Sequence, residues 1–480
     1  MMTGAGNVRE PAYMRLARLL EGMISARALK PGDRIPSVRH FSEQQRVSVP
    51  TALQAYATLE TRGLIEARPK SGFYVRHRQA MSVPQPKGCR ERPRVMGLAG
   101  VDPLEALMAD LTDPGLVPLG AALPSAELLP GRVLTRALGV IGRRMGAASV
   151  QYDMCPGSEV LRQELARRSL EWGCALAADD FVVTVGATEA VSLALRATCV
   201  PGDTVLVESP TYFGFPRILR ELRLNALPVA VDSGTGLDLE AVRRVIRRTK
   251  VAACLVMPNF HNPVGCLMPD EGKRELVAML AERRIPLIED DIYGDLQHDG
   301  VRPRCLKAFD GEGGVILCGS YSKTLAPGYR VGYVAPGRWL GAVTAHKRTS
   351  TLAGALLPTL AVADFLRNGG YDRYLRGIRQ TYRRQVERMR DALVEAFPEG
   401  IRLSRPQGSF LLWCELPETV DSVELHRQAR ASGISLAPGP LFSADGRFRN
   451  FVRINCGHPW SPVVERSVGI LGDLVRRLAG

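Results

Sequence analysis

The chain's ten cysteines include no C-x-x-C pair, its seven histidines show no metal-ligand spacing, and no apolar stretch approaches membrane-spanning length. These absences remove a paired-cysteine redox motif, a resident metal and a membrane span from the functions to be considered. No positively charged leader precedes an apolar run at the start, and no internal repeat or low-complexity tract is present. The expectation is a protein of the reducing cytoplasm, without metal or membrane. Cys155, Cys266 and Cys318 fall near the candidate site described below and read as small buried residues. What the chain does have is length and positive charge. Its 480 residues provide for two or three domains, and 63 Lys and Arg against 49 Asp and Glu leave a net charge of +14.

That charge is not spread evenly. Met1 to Val101 hold 17 Lys and Arg against 7 Asp and Glu, a net of +10, leaving only +4 for the rest of the chain. Basic charge gathered at one end points to a polyanion, nucleic acid before membrane surface. An inert basic tail is the bland alternative, but the pattern inside the segment is not tail-like. After Pro11, residues Tyr13, Ala17, Leu20 and Ile24 recur at helical spacing. LKPGDRIPS then makes a turn, with Ser37 as N-cap of a second short helix. A third helix fits Ser48 to Arg62, with Ala52, Leu53, Tyr56 and Leu59 as its inner face and Gly63 at its C-terminal cap. LIEARPKSGFYVR reads as two short strands around a turn. Three helices and a hairpin make a winged helix-turn-helix.

The run from LKPGDRIPSVR to LETRGLIEARPKSGFYV closely resembles the GntR family of bacterial regulators, whose third helix enters the major groove of double-stranded DNA. The resemblance implies that Arg39 contacts phosphate, that Ser48, Thr51 and Gln54 face the groove, and that Arg68, Lys70 and Gly72 belong to the wing. Ser48 is also the natural N-cap of its helix, and simple solvation is the alternative reading of Gln54. In SVPTA, Val49 stands where an arginine is common in that family, and Pro50 is tolerated in a first helical turn.

Further along, Lys323 sits in SYSKTLAPGYRVGY directly after an apolar strand predicted at Val315 to Cys318. Desolvation there favours the neutral amine that attacks aldehydes. Ser320 and Ser322 place hydroxyls beside it, and Arg330 brings a guanidinium fork suited to phosphate. An aldehyde and a phosphate together mean pyridoxal 5'-phosphate. Four more segments come in a telling order. Gly186, Ala187 and Thr188 follow the strand FVVTV and precede a helical stretch from Glu189 to Thr198, a helix start where backbone N–H groups and the helix dipole suit a phosphate. Tyr212 in ESPTYFG follows a strand and can stack on a pyridine ring. Asn262 in PNFHNPVG precedes a proline that can aim its amide at the ring's phenolic oxygen. In EDDIYGD, Asp290 can pair with a pyridinium nitrogen and Tyr293 can reach the same phenolic oxygen. Each has an ordinary alternative as a turn, a packing residue or a solvated strand end. Together and in this order they are hard to attribute to chance.

Gly186 to Arg330 thereby resembles the core of a fold-type I, class I/II aminotransferase: a mixed, mostly parallel sheet with helices, plus a small α/β domain. The resemblance implies that Lys323, Tyr293 and Asp290 are catalytic. It implies too that Gln151-Tyr152 followed by Gly157 sends a tyrosine across a homodimer interface to the partner's cofactor phosphate, and that Arg453, in FVRIN, grips a substrate α-carboxylate. Ala122, in AALP, stands at a position aligned with a glycine near the substrate. A winged helix ahead of such a module is the arrangement of the MocR subgroup of GntR-type regulators.

The expected organisation is a DNA-binding domain over 1–78, a linker rich in proline and basic residues over 79–101, and an aminotransferase-like module over 102–480. Within that module the large domain is expected at about 150–338, and the small domain from about 102–149 plus 339–480. The implied function is a regulator that senses an amine, an amino acid or the cofactor itself through aldimine chemistry at Lys323. The alternative is a working aminotransferase with a secondary or vestigial DNA-binding domain. A lyase or decarboxylase on the same fold is a third reading, less favoured because Arg453 suits transamination.

Overall fold

The structure is a computed structural model that describes residues 11–25, 28–29, 32–61, 64–68, 71–75, 83–88, 93–98, 110 and 113–480. The chain divides into two compact units, Met1–Val83 and Pro84–Gly480.

The first unit contains helices Ala12–Ser25, Val38–Gln45 and Val49–Thr61 and the antiparallel hairpin Ile65–Arg68 with Gly72–Val75. Leu16, Ala17, Leu20, Phe41, Ala52, Ala55, Tyr56 and Leu59 bury against Ile65 and Val75. Tyr56 is central: its ring meets Phe41 and Phe73 at 5.6 and 5.1 Å, and its hydroxyl donates to the Pro36 carbonyl at 2.7 Å. Ser37 caps the second helix through His40 N–H at 3.2 Å, as its sequence position predicts. Leu53 departs from expectation. It is exposed, and Ala55 takes the inward place, because Ala52, Ala55, Tyr56 and Leu59 keep the 3–4 spacing of one face. The proposed cap Gly63 and the wing residue Lys70 lie outside the described residues.

The second unit is built on an eight-stranded sheet. From one edge its strands are Val182–Thr184, Gly332–Ala335, Val315–Ser320, Leu287–Asp290, Ala253–Val256, Thr204–Ser209, Asn225–Asp232 and Gly236–Leu237. The five from Val315–Ser320 to Asn225–Asp232 run parallel. Gly332–Ala335 is antiparallel to its neighbours, and Gly236–Leu237 to its single partner. Successive residues point to opposite faces, so Val205 and Val207 enter one core while Leu206 enters the other. A sheet buried on both faces explains why these strands read as unbroken apolar runs.

A second, antiparallel sheet of Arg402–Leu403, Leu411–Glu415, Phe451–Asn455 and Ala437–Pro438 carries Arg453. Val117–Pro118 pairs with Ile434–Ser435, bringing an early segment to the C-terminal part. The 27-residue helix Gly370–Ala396 buries a stripe of Tyr371, Leu375, Ile378, Tyr382, Val386, Met389 and Leu393. The described parts of the expected linker are strapped to this unit. Pro84 O accepts from Leu403 N, Lys87 N donates to Glu415, and Met96 pairs with Ala226. Among the described residues, no helix is long and apolar enough to cross a membrane.

Candidate active site

Five segments that the sequence places after strands meet at the carboxyl edge of the large sheet, where open α/β folds bind ligands. They enclose a cavity of about 250 Å³ lined by Lys323, Asp290, Tyr293, Asn262, Tyr212 and Arg330 among others. Ala187, Thr188, Ala122 and Ser322 also face it.

Lys323 Nζ donates to the Ala122 carbonyl at 2.8 Å. Burial, then the positive charges of Arg453 and Arg330, bring its amine down to about 8, against the opposing pull of Asp290. Asp290 ends its strand with Oδ1 buried and unpartnered. Burial and the neighbouring Asp291 carboxylate push it up to about 7. A buried acceptor without a donor is costly to keep, and a protonated ring nitrogen would satisfy it. Tyr293 is fully buried, bonds the Asn262 side chain, and has its phenol pushed up by burial.

Helix Gly186–Thr198 opens at the cavity with Gly186 at φ +80°. A Cβ on Gly186 would come within 2.6 Å of Arg330 Nη2, so only glycine lets the guanidinium approach this helix end. Arg330 Nη1 donates to Ser322 Oγ at 3.2 Å, and Nη2 to the Val185 carbonyl at 3.3 Å. A helix N-terminus, a hydroxyl and an arginine fork together suit a phosphate. Ser320 stands behind them. Its hydroxyl bonds Val331 O and Ser322 Oγ, so Ser322 is the serine at the cavity.

Arg453 is wholly buried, and its bonds go to neutral oxygens, Asn262 Oδ1 at 2.9 Å and Gly120 O at 2.7 Å. Its Nε has no partner, and its guanidinium lies 4.8 Å from the Phe442 ring centroid and 5.6 Å from that of Phe213. Burial lowers its pKa to about 10. Among the described residues none of its hydrogen bonds goes to a carboxylate, and Arg453 stands behind Asn262 rather than among the residues lining the cavity. Tyr152 is not among the residues around this cavity: it is 77% exposed.

The sequence did not point to Phe213 and Phe442 beside Arg453, or to Ile218 and Ile292 in the cavity wall. Phe213 adjoins Tyr212 and was within reach of the same motif. Phe442 comes from a distant segment with no local signal.

In the first unit, Ser48 Oγ accepts from Thr51 N–H at 3.3 Å and contacts Thr51 Oγ1 at 2.8 Å, so Ser48 does cap its helix and the two hydroxyls engage each other. Arg39, Ser48 and Gln54 are exposed. Gly72 opens the second hairpin strand at φ +105° beside the Arg34 guanidinium, and Arg68 ends the first strand.

Residues 134–463 match the aminotransferase class I and II family, and residues 12–75 match the bacterial regulatory proteins of the gntR family. The uncharacterized HTH-type transcriptional regulators YjiR and YdcR of Escherichia coli (strain K12) are 37% and 36% identical to the chain. Each alignment covers 97% of this chain and 99% of the relative. The 2-aminoadipate transaminase of Thermus thermophilus is 31% identical over 71% of this chain and 85% of its own. Among solved structures, LysN, an α-aminoadipate aminotransferase from Thermus thermophilus complexed with N-(5'-phosphopyridoxyl)-L-leucine, superposes with a TM-score of 0.73. It is 28% identical, covering 78% of this chain and 95% of that one.

Proposed function

Because the chain belongs to the class I and II aminotransferase family and carries a gntR-family domain ahead of that fold, the MocR-type arrangement, we propose that it is a pyridoxal-phosphate-dependent transcriptional regulator. It binds double-stranded DNA through the first unit and an amine or amino acid through the second. The observation that carries this reading is the coexistence, in one chain, of a basic winged helix-turn-helix and a cavity that pairs a buried amine with an orphaned carboxylate.

When bound, the cofactor supplies an aldehyde for a covalent link and a ring that acts as an electron sink. In this assignment Lys323 offers an amine of which roughly a tenth is neutral at pH 7, far more than for an ordinary lysine, because burial and two arginines disfavour its charge. Asp290 holds the proton on the ring nitrogen, and Tyr212 covers one ring face. Asn262 and Tyr293 hold the phenolic oxygen. Gly186, Ala187, Thr188, Ser322 and Arg330 seat the phosphate, with Ser320 orienting Ser322. Arg453 pairs with the ligand's carboxylate, exchanging the Asn262 and Gly120 oxygens for a bidentate partner. Ala122 shapes the ligand's side of the cavity and holds Lys323 through its carbonyl.

Tyr152 serves a homodimer. The neighbouring Val150 and Met154 and the helix residues Val133 and Val140 are exposed apolar side chains, as a covered face requires. Arg39 contacts DNA phosphate, Thr51 and Gln54 approach the groove, and Arg68, Lys70 and Gly72 form the wing. The protein works in the cytoplasm. The depressed Lys323 amine and Arg453 also favour a second reading, slow or full transamination by the same site.

Footprinting of the full-length protein on DNA flanking its own gene, with and without pyridoxal phosphate and a panel of amino acids, tests the proposal. A ligand-dependent footprint supports the regulator. Rapid multiple turnover with no specific footprint supports the enzyme.

A further inference from the structure

A second cavity, of about 290 Å³, shares no lining residue with the first. Four parts of the second unit form it: the helix Gly370–Ala396, the stretch after strand Leu287–Asp290, the loop after strand Ala253–Val256, and the loop joining Arg402–Leu403 to Leu411–Glu415. Its charged groups are unevenly matched. Arg383 is satisfied, donating to Asp299 at 2.5 Å and to Glu387 at 3.0 Å. Arg390, seven residues on and on the same helix face, has a buried Nε with no hydrogen-bond partner. Burial and the like charge of Arg405 across the cavity outweigh the pull of Asp391 and Glu387 on it. Two guanidinium groups facing one space, one of them partly buried and unneutralised, call for an anion.

A separate side chain borders the same space. Gln297 lines this cavity, is only 5% exposed, and leaves its Oε1 buried without a donor. Buried amide oxygens are seldom left so. It requires an N–H or O–H that the protein does not provide. Phe260, Leu267 and Val386 supply an apolar wall against which a short carbon skeleton fits. The volume is that of roughly ten waters, enough for a small metabolite.

We propose that this cavity is a second ligand site, which takes a small hydroxylated organic anion: Arg390 and Arg405 hold the carboxylate or phosphate, and Gln297 accepts from a hydroxyl. The position gives such a ligand leverage on the first cavity. Pro406, beside Arg405, packs so closely on Gly265 that a Cβ there would lie 2.8 Å from it, and Phe260 packs in the same way on Gly408. Phe260 and Gly265 flank Asn262, which holds Arg453.

The test is calorimetric titration of the full-length protein, saturated with pyridoxal phosphate, with glycerol 3-phosphate, glycerate, inorganic phosphate and glycerol. Saturable binding of glycerol 3-phosphate or of glycerate is expected, and the tighter of the two identifies the anionic group. Glycerol should not bind, and inorganic phosphate should bind more weakly than its ester. Arg390→Gln and Arg405→Gln should each weaken binding at least about tenfold. Gln297→Leu should weaken the hydroxylated probes and leave inorganic phosphate unchanged. Arg330→Gln, which alters the first cavity, should change this binding far less than Arg390→Gln does, any change reflecting only the coupling between the two cavities. Arg405 is exposed, so its variant keeps the comparison free of folding loss. Absence of saturable binding by either hydroxylated anion, or binding that survives Arg390→Gln and Arg405→Gln but is lost in Arg330→Gln, overturns the proposal. Neither result bears on the regulator reading, which rests on the first cavity.

Discussion

At the scale of single residues, Lys323 and Asp290 are displaced toward each other in acidity: burial takes the amine down to about 8 and the carboxyl up to about 7. Borohydride trapping of pyridoxal phosphate on the protein should therefore rise with pH through about 8, well below the ordinary lysine value of 10.5. Lys323→Ala should abolish both the trapping and the visible absorbance, and a retained trappable adduct would refute the assignment. Asp290 gives a test with the opposite sign. Its folded pKa is raised from 3.8, so its contribution to stability is fully present below about 3.8 and is lost as pH rises through about 7. Without cofactor, Asp290→Asn should match the wild type's stability at pH 4 but exceed it at pH 8, by an amount on the order of 1–4 kcal/mol, and melt correspondingly higher there. With pyridoxal phosphate the order at pH 8 should reverse, because only the wild type can pair with a protonated ring nitrogen. Differential scanning calorimetry of the four samples checks both signs. Arg453→Gln should weaken amino acids by at least about tenfold and leave simple amines nearly unchanged, as measured by spectral titration.

At the scale of elements, the strand-to-helix turns carry the site. Gly186 combines a positive φ with the close approach of Arg330, two demands that no other residue meets together. Gly186→Ala should cost pyridoxal phosphate at least about tenfold in affinity, read by the same titration, while melting of the cofactor-free protein changes far less. Most of these elements were legible in the sequence, because a buried parallel strand is a short apolar run and the residue just past its end is the one exposed to ligand. Val315–Ser320 and Gly186–Thr198 differ from their sequence-based bounds by only a few residues. What was not legible depended on packing between distant segments. Leu53 reads as core by type, yet Ala55 takes the inward place. Arg453 is recognisable in FVRIN, but its aromatic neighbours come from Tyr212's loop and from Gly439–Phe442, far apart in the chain. The stretch that reads as a free linker is tied by backbone bonds to Leu403 and Ala226, contacts that no local pattern announces.

At the scale of the whole molecule, the question is whether the charge at one end and the cavity in the other unit act together. The concentration of +10 in the first hundred or so residues predicts DNA binding that weakens steeply with salt, with a log-log slope of about −0.9 per phosphate neutralised. Arg39→Ala should lower affinity for all sequences alike and reduce that slope by about one. Salt-insensitive or absent binding, even to DNA flanking its own gene, would leave the first unit without a regulatory role. A ligand that changes DNA affinity must bind the two states of the protein with different strength, and coupling between sites is typically worth roughly 1 to 3 kcal/mol, or about 5- to 150-fold. Linkage makes the coupling reciprocal, so operator DNA must shift the affinity for the amino acid by the same factor that the amino acid shifts the affinity for DNA. Spectral titration of the cofactor-loaded protein with amino acid, in the presence and absence of operator, measures one side of that equality, and DNA titration with and without amino acid measures the other. Equal factors above about fivefold establish the regulator. A ligand that reacts fully at Lys323 while both factors remain at one makes the second unit an enzyme whose chemistry the DNA-binding unit does not read.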